Sequence, residues 1–111
     1  MEFETRVRSL SALAHPGRLA LFRRLVRAGS PGLAAGQLAK DLSVHANTLS
    51  AQLSILSAAQ LINSRRDGRS IIYKANLANL NALVLFLIED CCDGRDEVCT
   101  PILEALQAAD C

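Results

Sequence analysis

The sequence predicts a mainly α-helical domain carrying one small β-hairpin, and three observations lead there. The apolar half of the chain is dominated by nineteen Leu and seventeen Ala, both strong helix formers, with only three Phe, one Tyr and no Trp. Apolar residues recur at helical spacing along most of the 111 residues. One stretch, residues 61–74, instead sets β-prone runs around an Asp-Gly pair. This length suits one core, so residues 1–111 are expected to form a single domain. The composition excludes a disordered chain and an all-β sandwich or barrel.

The helices can be placed in order. Phe3, Val7, Leu10 and Ala14 recur as one stripe of an opening helix. His15-Pro16 ends it, because a residue before proline avoids helical geometry, and Pro16 then suits the first turn of a second helix. That helix is expected to turn Leu19, Phe22, Leu25 and Val26 inward and Arg18, Arg23, Arg24 and Arg27 outward. Gly29-Ser30-Pro31-Gly32 breaks the pattern. Two short helices follow, about 34–41 and 46–58, joined by Leu42-Ser43-Val44-His45. Leu38, Ala39, Leu42, Val44, Leu49 and Leu53 form their apolar set, and the corner has helix-turn-helix spacing. Asn47, Thr48, Ser50, Ala51 and Gln52 remain as a small, hydrogen-bonding outer face suited to base edges in a DNA groove.

The hairpin strengthens that reading. Arg65, Arg66 and Arg69 cluster about its turn, where guanidinium groups can meet phosphates or enter a minor groove, so the wing is assigned to about 61–75. Asn76 is a candidate N-cap for a helix over about 77–90, in which Leu80, Leu83, Val84, Leu87 and Ile88 form a stripe. Leu85 and Phe86 make its other side apolar as well. Such a helix is expected to pack on a second subunit, as a reader of two DNA half-sites requires. Thr100-Pro101 reads as the N-cap and first residue of a last helix ending near Ala109.

Charge and cysteine are unevenly distributed. Residues 1–75 carry eleven Arg or Lys against four Asp or Glu, and residues 76–111 carry one Arg against seven acids. A basic front half suits a polyanion; the acidic tail must serve something else. All four cysteines, Cys91, Cys92, Cys99 and Cys111, lie in that tail. The longest apolar run, residues 82–88, is far short of the ~20 residues that span a bilayer. Met1-Glu2-Phe3-Glu4 starts acidic with no apolar stretch behind it, unlike a secretory leader. These features predict a soluble cytoplasmic protein, in which cysteines are more often ligands or redox groups than a disulfide framework.

These motifs together resemble the ArsR/SmtB winged helix-turn-helix repressors. Leu13-Ala14-His15-Pro16-Gly17-Arg18-Leu19 is similar to the family's opening stretch. Gln37-Leu38-Ala39 through Val44, followed by residues 48–56, is similar to its helix-turn-helix, and Arg65-Arg66-Asp67-Gly68-Arg69 with Tyr73 resembles its wing. Gln60 departs from the glycine usual before the wing's first strand. The resemblance implies no enzymatic activity and no resident cofactor. It implies instead a homodimer formed through the first and last helices, bound to an inverted-repeat operator and released by an inducer.

The inducer follows from which ligand set is present. The long helix offers no His for the family's zinc site, and residues 33–56 contain no Cys. Cys91-Cys92 with Cys99 resembles the C-terminal arsenite site of one branch, which implies As(III), and with it Sb(III), as inducer bound at residues 91–99. Soft trivalent arsenic prefers three thiolates, whereas a closed zinc site needs a fourth ligand. Glu89, Asp90, Asp93, Asp96 and Glu97 disfavour thiolate anions, which counts against a thiol enzyme or arsenate reductase, while arsenite is uncharged at neutral pH. Cys111 is read as incidental. A repressor sensing thiol oxidation, persulfide, Cd(II) or Pb(II) through the same cysteines is the alternative.

Overall fold

A computed structural model describes residues 3–89 and 96–108. The elements run α1 (Phe3–Leu13), α2 (Pro16–Ala28), β1 (Leu33–Ala34), α3 (Ala35–Leu42), α4 (Ala46–Ala58), β2 (Ile62–Asp67), β3 (Ser70–Ala75), α5 (Leu77–Glu89) and α6 (Asp96–Ala108). The mainly helical expectation holds, with one addition. The two-residue β1 pairs with β3, setting Leu33 opposite Tyr73, so the hairpin becomes an antiparallel sheet of order β1-β3-β2. By its contacts the chain falls into two compact units, Met1–Leu80 and Asn81–Cys111.

The core of the first unit is aliphatic. Leu21 and Leu25 of α2, Leu38 of α3, Leu56 of α4 and Leu61 before the wing are fully buried, with Phe22, Leu49, Leu53 and Ile62 nearly so. One helical turn separates Leu49 from Leu53 and Leu21 from Leu25, so each helix lays a single stripe on this core. The α1 stripe lies at the surface, and one expected inward position of α2 is corrected. Phe3, Val7 and Leu10 of α1 are 69%, 49% and 38% exposed, and Arg6, Ser9 and Ala12 take the buried positions. In α2, Leu19 is exposed and Leu21 lies inside. Spacing defines a stripe; it does not say whether the stripe meets this chain's core or something else.

The turns follow from local chemistry. Register pairs Asp67 with Ser70, leaving Gly68-Arg69 as a two-residue loop with Gly68 at φ 65°. A glycine first in such a loop is the requirement of a II′ turn, so Gly68-Arg69 rather than Asp67-Gly68 occupies its centre. Gln60 takes the left-handed conformation at φ 61° that the family's glycine would adopt without strain. Its N–H reaches the Ser57 carbonyl at 2.9 Å, and the Leu61 N–H reaches that of Leu56 at 3.0 Å, a Schellman closure of α4. Asn76 caps α5 as expected, its Oδ1 accepting from the Asn79 N–H at 3.2 Å. The last helix differs from expectation: α6 starts at Asp96 and contains Pro101. The helix therefore begins before the proline, which has no N–H to donate within it.

Candidate nucleic-acid interface

The site is built on the α3–α4 corner. Ser43 is left-handed at φ 55°, and its N–H and that of Val44 bond to the Lys40 and Ala39 carbonyls at 3.3 and 3.1 Å. This ends α3 within one residue and lets α4 start at Ala46. Small Ala39 is half-buried at the crossing, where Leu38, Leu49 and Leu53 close the corner. The Asp41 carboxylate holds α3 to its neighbourhood by accepting from Arg24 Nη2 of α2 at 3.1 Å and from Gln37 Nε2 at 2.7 Å.

Recognition-face residues divide on the helical wheel. Asn47, Thr48, Ser50 and Ala51 are exposed, as the sequence predicts. Gln52 is corrected: it is only 9% exposed, because it follows Leu49 by three residues and precedes Leu56 by four. Its amide packs against Gly17 of α2, where a Cβ would collide with Nε2. Ser54 was missed. It is exposed one turn after Ser50 and two after Asn47, a spacing that could have identified it. His15 caps α2 beside this contact, its Nδ1 accepting from the N–H groups of Gly17 and Arg18 at 3.1 and 3.3 Å.

The wing arginines also separate. Arg66 and Arg69 are exposed near the tip, paired across or beside Ile71 and Ser70. Arg65 is exposed too, yet its Nη2 donates to the Pro31 carbonyl at 3.0 Å, tying β2 to the loop after α2. That loop lies close on β3: a Cβ at Gly32, whose φ is 70°, would meet the Tyr73 backbone and Ile72 Cγ2. Arg65 is therefore engaged within the fold, whereas its two neighbours are directed by the hairpin turn.

Recesses beside α4 and beside the wing share lining residues. A recess of about 150 Å³ is bordered by Ser50, Leu49 and Ala46, and another of about 310 Å³ by Arg69, Ser70 and Ile71. Both are lined by Ala35, Gly36 and Tyr73, so Ser50 and Arg69 flank one shared wall. A polar helix face beside a basic hairpin can read base edges with one part and grip phosphates with the other. The proposed inducer cysteines stand apart from this surface in sequence. Cys91 and Cys92 lie outside the described residues; Cys99 falls in α6, with its side chain likewise outside.

Fold and site define a winged helix-turn-helix protein. A family described as a helix-turn-helix domain matches residues 13–65. The HTH-type transcriptional regulator YgaV of Escherichia coli (strain K12) is 35% identical over 78 residues, covering 70% of this chain and 77% of that protein. Two further curated relatives match over about half of their own lengths, 52% and 53%. The structure of an ArsR-like transcriptional regulator from Rhodococcus sp. RHA1 superimposes with a TM-score of 0.71 at 25% identity, over 93% of each chain. The homodimeric winged helix-turn-helix domain of Mb0332 from Mycobacterium bovis gives 0.62 at 26% identity, over 83% of this chain and 85% of that one. The chain belongs to the ArsR family of winged helix-turn-helix transcriptional regulators. It is a DNA-binding regulator and not an enzyme.

Proposed function

We propose that the protein is a cytoplasmic homodimeric repressor that binds an inverted-repeat operator and leaves it when As(III), or Sb(III), is bound by Cys91, Cys92 and Cys99. The observation that supports operator binding is the wall of Ala35, Gly36 and Tyr73 shared by a recess bordered by Ser50 of α4 and one bordered by Arg69 of the wing. Dimerisation is supported by apolar residues left at the surface: Val7 and Leu10 on α1, Val84, Leu85 and Leu87 on α5, and Leu103 and Leu106 on α6. None of the described helices is long and apolar enough to cross a membrane.

The inducer reading rests on donor chemistry. Two adjacent thiols and a third seven residues on supply three soft sulfurs in an acidic stretch, a set suited to an uncharged trivalent metalloid. A coupling of ~1–3 kcal/mol between thiol site and DNA suffices for release, and linkage requires DNA to weaken arsenite binding equally. The test uses a duplex selected by the protein from a random pool, with release followed by fluorescence anisotropy during separate titrations with arsenite, cadmium and peroxide. Release by arsenite, reversed by a competing dithiol, supports the proposal. Release by cadmium or peroxide with no response to arsenite overturns the arsenic assignment and leaves the repressor reading standing.

A further inference from the structure

The far end of α4 rests on a polar network separate from the DNA-facing residues. The carbonyl of left-handed Gln60 accepts from Asn76 Nδ2 at 3.0 Å and from Asn79 Nδ2 at 2.9 Å. Asn79 Oδ1 accepts in turn from Arg6 Nη1 of α1 at 3.0 Å. One amide thus joins the first helix, the first turn of α5 and the terminus of the recognition helix.

Arg6 is 2% exposed, and its Nε has no hydrogen-bond partner among the described residues. A buried cation with an unmet donor is poor for stability, and an apolar side chain of similar length would fill the space better. What Arg6 adds is direction, since a guanidinium sets both the position and the orientation of the amide it meets. It also lies on α1 one turn from the exposed Leu10 and next to Val7, between the surface stripe and the core.

We propose that Arg6 and Asn79 are positioning residues for DNA recognition. Through the Gln60 carbonyl they set where α4 ends, and so how Asn47, Ser50 and Ser54 meet base edges. Hydrogen bonds to bases weaken steeply with misalignment, whereas attraction to phosphates tolerates small displacements. A shift of α4 therefore reduces sequence-specific binding and spares non-specific binding. This role concerns DNA reading itself and is independent of the inducer.

The experiment compares Asn79→Leu, Arg6→Met and the double variant on the selected duplex and on a scrambled duplex at one salt concentration, below the melting temperature of each protein. Asn79→Leu is expected to weaken the selected duplex by about tenfold, the scale of a lost hydrogen bond to a charged group, with scrambled binding unchanged. The double variant should be no worse than Asn79→Leu, since both changes act through one link. Asn79→Asp keeps an acceptor for Arg6 but removes the donor to Gln60, and it provides the same selective loss if the leucine variant does not fold. A role in stability alone would lower the melting temperature and leave the ratio of selected to scrambled affinity at the parent value. That unchanged ratio, or additive losses in the double variant, overturns the proposal.

Discussion

The side-chain amide of Gln52 occupies the place beside Gly17 that a β-carbon would fill. One glycine near the start of α2 therefore allows the recognition helix to pack closely, and it turns inward a polar residue that sequence would assign to DNA. Gly17→Ala sets two effects against each other. Alanine favours the helix by about 0.5–1 kcal/mol, while the new methyl group displaces the amide. In a Gln52→Ala background the clash with the amide is gone, and the remaining close neighbour is His15 Cε1 at 3.2 Å, so the favourable effect dominates if that ring gives way by a few tenths of an ångström. Gly17→Ala should thus be close to neutral in the parent and stabilising by about 0.5–1 kcal/mol in the Gln52→Ala protein. Denaturant melts of the four proteins check this; equal effects in both backgrounds would refute the contact.

Gln60 offers a simpler gain. Its φ of 61° is strained for a residue with a β-carbon, and its side chain is exposed. Gln60→Gly keeps the carbonyl that Asn76 and Asn79 grip. It should stabilise the fold by about 1 kcal/mol, raising the melting temperature by roughly 4–8 °C. Calorimetry provides the measurement, and an unchanged or lower temperature would contradict the cap geometry.

The wing arginines should differ in kind. Arg66→Ala and Arg69→Ala are each expected to remove a phosphate contact and so to lower the slope of log K against log salt by about 0.9. Arg65 instead braces β2 against Pro31. Arg65→Gln retains an amide donor for that carbonyl, so it should change the slope less than either neighbour. Binding isotherms across a salt series separate the two roles.

On α4, Asn47→Ala and Ser50→Ala should alter preference at individual base pairs by roughly 1–3 kcal/mol where a base contact is bidentate or buried. Ser54→Ala belongs in the same series because it shares their exposed face. Gln52→Ala should change preference only through the position of the helix, weakening all selected sites together. Selection from a randomised duplex pool, repeated for each variant, distinguishes a change at one base from a general loss.

The thiols are tested separately. Cys91→Ser, Cys92→Ser and Cys99→Ser should each hold the selected duplex and resist release by arsenite, because an alcohol does not replace a soft thiolate. The adjacent pair should matter most, since losing either breaks the chelate. Cys111→Ser should respond as the parent does. Release of Cys91→Ser by arsenite at the parent concentration would show that the cue acts elsewhere.

Much of this architecture is determined by local sequence. Pro16 after His15, the Asn76 cap and the β-prone runs flanking Gly68 act within a few residues, so they place α2, α5 and the hairpin without reference to the rest of the chain. The spacing of Leu49, Leu53 and Leu56 likewise defines the inner face of α4. Tertiary structure decides whatever depends on a distant neighbour. Gln52 turns inward because Gly17 makes room 35 positions earlier, and Arg65 is engaged because the Pro31 loop reaches it across β3. Val7 and Leu10 stay at the surface because α1 gives its other face to the core. Periodicity and capping report energies set by adjacent residues; burial and hydrogen-bond partners depend on which remote atoms the fold brings within contact distance.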